Sequence, residues 1–205
     1  MRFDYIFVDL DDSLMDTKKY KARLFDLLVE YGVPMDLAKS TYKQIINTYT
    51  FENQLAVLRD LSYDLPPEVL PKMFDLLKIN YLLPGARDFL EYLRSQTEHL
   101  VLVSNGNPPY QQLKIDSLGI SDFFDQIAIG TDGKDAVLVK FSADFSRSLF
   151  INDKLDENER VRGTFPGLMI TGLINRKYWT IADYEQAGYA VFENLADLGE
   201  YLKKL

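Results

Sequence analysis

Four apolar residues, Tyr5-Ile6-Phe7-Val8, run directly into Asp9-Leu10-Asp11-Asp12, three carboxylates within four positions. A continuous apolar run of this length reads as a strand buried on both faces of a parallel sheet. A strand with one wet face would alternate instead. Open α/β sheets bind ligands outside the carboxyl ends of their strands. The crowded negative charge therefore falls where such a fold does chemistry. Carboxylates this close repel, and one is driven to a higher pKa unless a cation or hydrogen bonds compensate. A hard divalent ion that takes oxygen ligands, such as Mg2+, is the natural compensation.

The rest of the chain supports a sheet fold with one large interruption. Residues 16–81 read as helical throughout. Leu24, Leu27, Leu28 and Tyr31 have helical spacing, and Gly32-Val33-Pro34 stops that element. Further helices are expected over 36–48, 51–61 and, past Pro66-Pro67, 68–79. After Pro84-Gly85 the alternation returns. A helix over 86–96 precedes the strand Leu100-Val101-Leu102-Val103, which ends in Ser104-Asn105-Gly106. A helix over 109–118 ends at Gly119. Strands follow at 126–129, 149–151, 168–170 and 189–191, and a last helix at 195–204. Strands alternating with helices predict βαβ units and an α/β fold with a mostly parallel, Rossmann-like sheet. The core is expected from residues 1–15 and 82–205, with residues 16–81 as an inserted all-helical cap.

Composition narrows the function. The 205 residues carry a net charge of −8, which disfavours a nucleic-acid polymer as partner because that needs a basic footprint. It leaves room for a small phosphorylated molecule, since one cation inverts the local field. No apolar run reaches the roughly 18 residues of a membrane span. The N-terminal residues lead straight into an acidic strand end rather than a signal peptide. With no cysteine there is no thiolate metal site. A cytoplasmic monomer is the expectation.

Four predicted strand ends carry polar groups. The first has Asp9 and Asp11, and the second has Ser104 and Asn105. The third is followed by Lys134 and Lys140, and the fourth by Asp153, with Asp156 and Glu157 just beyond. Brought to one sheet edge, two carboxylates, a hydroxyl, a lysine and a further acid suit metal-assisted phosphoryl transfer. Asp9 would attack phosphorus as a carboxylate nucleophile, and Asp11 would move the proton. The hydroxyl and the ammonium would hold phosphoryl oxygens, with the metal between Asp9 and Asp153. His99, the only histidine, reads as a capping or surface residue. Trp179, beside Tyr178, reads as a packing or lid residue.

These motifs resemble those of the haloacid dehalogenase (HAD) superfamily. Asp9-Leu10-Asp11-Asp12-Ser13-Leu14 matches its first motif, Asp-x-Asp-Gly-Thr-Leu/Val, and Ser104 after Val101-Leu102-Val103 matches its second. Leu82-Leu83-Pro84-Gly85-Ala86 resembles the return from a helical cap to the core. Ser104 to Asp125, with Gln111-x-x-Lys114, resembles members whose cap follows the first motif. The resemblance implies a Mg2+-dependent phosphatase acting on a nucleotide or sugar phosphate. It makes Asp9 nucleophile and metal ligand, and Asp11 acid/base with a backbone carbonyl on the metal. It assigns Ser104, with Asn105, to the phosphoryl group, and Asp153 to the metal. Glu157 is favoured on spacing as the second acid of the metal site, and either Lys134 or Lys140 serves as the third-motif lysine. A phosphosugar mutase shares the first motif, and a catalytically weak binding protein of the same fold is the other alternative. Asp12 stands where the family has Gly, and Asn152 where a Gly usually precedes the fourth-motif acid.

Overall fold

The computed structural model of the chain describes residues 2–141, 144–173 and 178–205. Its centre is a six-stranded sheet in which every neighbouring pair is parallel. The strands are β1 (Phe3–Asp9), β2 (Thr97–Asn105), β3 (Gln126–Gly130), β4 (Leu149–Asn152), β5 (Met169–Leu173) and β6 (Ala190–Phe192), in the spatial order β3-β2-β1-β4-β5-β6. The chain builds outward from β1 on one side, then restarts at β4 on the other. The gap between β1 and β4 is therefore the point where the winding reverses, and a crevice opens there at the carboxyl ends.

The apolar runs divide residue by residue between the two faces, as the two-residue period of a strand requires. Ile6, Val8, Leu100, Leu102, Leu149 and Ile151 point into one core. Phe7, Val101, Val103 and Phe150 point into the other. The first face is covered by α5 (Ala86–Gln96), α6 (Pro108–Leu118) and α10 (Leu195–Leu202). The second is covered by α7 (Lys134–Leu138), α8 (Leu155–Thr164) and α9 (Ile181–Gln186). α6 starts with Pro108 and with the Asn107 side chain accepting from the Tyr110 N–H. It stops at Gly119 in the left-handed conformation.

Between β1 and α5 stand α1 (Thr17–Glu30), α2 (Met35–Gln44), α3 (Phe51–Asp60) and α4 (Val69–Leu77). Where the chain leaves the sheet and where it returns, two backbone bonds tie it together. The Asp16 N–H donates to the Tyr81 carbonyl and the Leu83 N–H to the Leu14 carbonyl, each at 2.8 Å. Leu24, Leu28, Leu58 and Met73 from these helices join the same apolar cluster as Ile6 and Leu102.

Four elements differ from the sequence expectation: α2 is shorter than expected, and α7, α8 and α9 were not expected as helices. The second helix ends at Gln44, and a 3-10 turn at Ile46–Thr48 follows. β-Branched Ile45 and Ile46, then Asn47 and Thr48, are weak helix formers. α8 and α9 have no apolar stripe to betray them: α8 reads Leu-Asp-Glu-Asn-Glu-Arg-Val-Arg-Gly-Thr. It is held by buried Val161 together with the buried polar residues Glu157 and Asn158.

Gly172, in β5, leaves room for the Tyr184 ring, and a Cβ there would stand 2.8 Å from Tyr184 Cε1. Tyr184 is fully buried. Gly172→Ala is expected to cost about 1–3 kcal/mol of stability through overpacking, measured by urea unfolding.

Candidate active site

The crevice at the end of β1 and β4 is filled by one buried polar network. Asp9, the last residue of β1, is 2% exposed. Its Oδ1 lies 2.7 Å from the Lys134 ammonium, and Ser13 Oγ donates to its Oδ2 at 3.4 Å. Lys134 opens α7, just beyond β3, and its side chain crosses beneath the strand ends. Besides Asp9, it donates to Asn152 Oδ1 at 2.6 Å and to Glu157 Oε2 at 2.7 Å. An ammonium has three donors, and all three are used. Glu157 takes a second cation on Oε1, from Lys154 at 2.9 Å. Asn152 donates to Asn158 Oδ1 at 2.9 Å and to the Lys154 carbonyl at 3.1 Å, which folds the loop after β4 back on itself.

Burial pushes the Asp9 carboxyl above its ordinary value, against the pull of Lys134. For Lys134 burial acts downward, but Asp9 and Glu157 outweigh it and keep the amine protonated. Burial also opposes ionisation of Glu157, and there Lys134 and Lys154 prevail, holding its carboxyl down at about 2.

Asp11 sits in a different environment. Thr17 Oγ1, on the first turn of α1, donates to its Oδ1 at 2.5 Å. The Lys114 ammonium contacts the same oxygen, and Gln111 Nε2 donates to Oδ2 at 3.2 Å. Lys114 also donates to Gln111 Oε1 at 2.9 Å, so the two α6 residues brace each other. Burial raises the Asp11 carboxyl, but Lys114 and Lys21 outweigh it and hold it well below the usual carboxylate range. Asp12 takes a φ of 59°, in the left-handed region where the family motif has Gly. It is a turn residue between the two working carboxylates and α1.

The remaining expected residues divide. Ser104, at the end of β2, is buried, and its Oγ has no hydrogen-bond partner among the described residues. Asn105 accepts from the Gly133 N–H at 3.2 Å through Oδ1, tying the ends of β2 and α7 together. Asp153 is buried directly after β4, and its carbonyl accepts from the Tyr184 hydroxyl. Lys140 is a correction. It lies exposed on the turn after α7, beside Pro108, Ile129 and Val137, and outside the network. Lys134 occupies the place for which both lysines were candidates. The Lys140 segment continues into Ser142 and Ala143, which lie outside the described residues. Glu157, favoured from the sequence as the second acid of the metal site, has one oxygen on Lys134 and the other on Lys154.

Among the described residues no three acidic, histidine or cysteine side chains group closely enough to hold a metal by themselves. Two carboxylates, Asp9 and Asp153, at neighbouring strand ends are hard oxygen donors of the kind Mg2+ takes. Mg2+ uses one or two carboxylates and keeps several waters, so this smaller set fits it. Thr17 and Lys154, which touch the carboxylates or their partners, were not singled out from the sequence, and Gln111 and Lys114 were quoted only as part of the resemblance, with no role at the site. Gln111 and Lys114 left a signal, being polar residues three apart on the same α6 face as buried Ile115 and Leu118.

Lys134→Met would leave Asp9 and Glu157 buried with one cation fewer. A loss of about 3–5 kcal/mol is expected at neutral pH. The Glu157 carboxyl is depressed to about 2 from 4.5. Its contribution is therefore full above pH 4.5 and is lost as the pH falls through 2. The deficit of Lys134→Met should narrow as urea unfolding is repeated below pH 4.5.

Comparison with known proteins agrees with this geometry. Residues 3–141 match the family model described as haloacid dehalogenase-like hydrolase. A glyceraldehyde 3-phosphate phosphatase of Pyrococcus abyssi is 30% identical over 173 aligned positions, spanning 73% of each chain. The Pyrococcus furiosus enzyme of the same name is also 30% identical, over 62% of this chain and 59% of its own. Among solved structures, a Thermotoga maritima protein named as a candidate β-phosphoglucomutase superposes with a TM-score of 0.71 at 18% identity, covering 98% of this chain and 99% of the other. A magnesium-bound Bacillus subtilis protein named as a HAD hydrolase gives a TM-score of 0.66 at 19% identity, covering 98% and 99%. The sheet order, the acidic end of β1 and these matches lead to one conclusion: the chain is an enzyme of the haloacid dehalogenase-like hydrolase family, with phosphatases among its relatives.

Proposed function

We propose that the chain is a Mg2+-dependent phosphomonoester hydrolase that works through an aspartyl-phosphate on Asp9, with the helices of residues 16–81 acting as its cap over a core of residues 1–15 and 82–205. The observation that carries this reading is the geometry of two carboxylates two residues apart at the carboxyl end of β1. Asp9 is buried against the Lys134 ammonium, and Asp11 is gripped separately by Thr17, Gln111 and Lys114. Each acid therefore has its own surroundings and can take its own role.

An Asp9 carboxylate oxygen attacks phosphorus, and the bond to the leaving oxygen breaks. Asp11 gives that oxygen a proton. Water then attacks the phosphorus of the aspartyl-phosphate, Asp11 takes its proton, and Asp9 is regenerated as inorganic phosphate leaves. The ionised Asp11 of this structure is in the form the second half needs. A phosphoryl dianion arriving beside it would raise its carboxyl toward protonation for the first half. The buried Ser104 hydroxyl and Asn105 are the groups for phosphoryl oxygens, and the Lys134 ammonium joins them by trading one of its three contacts. Asp9 and Asp153 carboxylates, with the Asp11 backbone carbonyl, would hold Mg2+, which supplies positive charge to the phosphoryl group. The leaving group belongs to a small metabolite such as a sugar phosphate or nucleotide. The names of the Pyrococcus relatives make glyceraldehyde 3-phosphate the first to try.

The test is phosphate release from p-nitrophenyl phosphate and a panel of sugar phosphates and nucleotides. Release is expected with Mg2+, lost on chelation, and reduced about a thousandfold or more in Asp9→Asn. Isomerisation of a sugar phosphate without phosphate release would replace the hydrolase with a mutase. Absence of any turnover by folded protein would overturn both.

A further inference from the structure

Between the helical insertion and the strand ends lies a cavity of about 390 Å³, and its charge exceeds what one phosphoryl group calls for. Five lysines line it, against the three aspartates Asp11, Asp12 and Asp153. This local excess of cations occurs in a chain whose net charge is −8. Lys114 is taken by Asp11 and Lys154 by Glu157, both at the reacting end. Lys18 lies near Asp12 and Lys21 near Asp11, but neither of these nor Lys39, all three from the insertion, forms an ion pair among the described residues.

Lys21 is the most constrained of the three. It follows Thr17 by one turn of α1, so both side chains share the face turned to the cavity. Its ammonium lies 5.0 Å from the centre of the Tyr42 ring, on α2. Burial pulls the amine below its ordinary value, with Asp11 acting the other way. A cation partly removed from water, with an aromatic face but no carboxylate in contact, gains most from a bound anion. Lys39 reaches the same space from α2. Phe25, Tyr42 and Tyr49 add apolar wall to the same cavity.

We propose that the preferred substrate carries a second anionic group, a carboxylate or a phosphate, bound by Lys21 and Lys39 while its phosphoryl group sits at Asp9. This rests on the phosphomonoesterase reading and narrows its substrate class. Lysine acts as a point charge and suits either anion, so the shared chemistry is a small metabolite with an anionic group besides its phosphoryl group. The cavity volume is that of a small-metabolite site.

The experiment compares kcat/KM for glyceraldehyde 3-phosphate, 3-phosphoglycerate and fructose 1,6-bisphosphate at fixed ionic strength. At least one of the latter two is expected to exceed the aldehyde by about tenfold, mainly through KM, and which one does identifies the anion. Lys21→Met should lose about tenfold more on that substrate than on the aldehyde, and Lys21→Arg should recover most of it. Equal kcat/KM for all three, or a uniform loss in Lys21→Met, overturns the subsite. If nothing is turned over, calorimetric titration of the Asp9→Asn protein separates the two ideas. Binding of fructose 1,6-bisphosphate that is tighter than that of the aldehyde, and is lost on adding Lys21→Met, supports the subsite while the hydrolase reading fails. Equal or absent binding overturns the subsite as well.

Discussion

The Lys134 ammonium is the contact on which the site is built. It joins three elements that are far apart in sequence: the end of β1 through Asp9, the end of β4 through Asn152, and α8 through Glu157. A buried charge of this kind is tolerated only where its partners are fixed, because an unmatched carboxylate at this depth costs several kcal/mol. The network therefore ties the register of β1 against β4 to the placing of α7 and α8. The Asn152 side chain, standing where a glycine is usual, fits this arrangement. It accepts from Lys134 and donates to Asn158, so it is part of the support of the site.

The second acid is held by a separate set of contacts. Asp11 depends on α6, through Gln111 and Lys114, and on the first turn of α1, through Thr17. The insertion and the core thus meet at one carboxylate. A shift of α1 relative to the sheet would alter the company of Asp11 and leave the Lys134 network intact. Closing helices over such a site removes water and strengthens the remaining electrostatics. The cavity lies on that same seam, with Lys21 and Lys39 on the insertion side of it.

Much of the fold was legible in the chain because each strand is a short apolar run that needs cover on both faces. The runs at 5–8, 100–103, 126–129 and 149–151 lie within β1 to β4. α1, α3, α5 and α10 were expected from the chain, α1 from helical spacing and the stop at Gly32-Val33-Pro34 and α5 from the break at Pro84-Gly85 before it. The helices that escaped are α7 and α9, which are short, and α8, which is polar. Their buried faces consist of groups such as Glu157, Asn158 and the Tyr184 hydroxyl, whose burial makes sense only once a partner is in place.

By itself, the sequence determined the parallel α/β class, the helical block between the first two strands, and the Asp9–Asp11 pair at the acidic strand end. Periodicity and local spacing carry that information, and a family motif confined to six residues sharpens it. Tertiary structure placed Lys134 rather than Lys140 beside Asp9, paired Glu157 with two lysines, and brought Thr17 and Lys114 to Asp11 and Lys21 to the adjoining cavity. The physical reason is that a charged side chain gets its role from what is buried beside it. Lys134 and Lys140 are six residues apart and equally cationic, yet one is enclosed by two carboxylates and the other faces water.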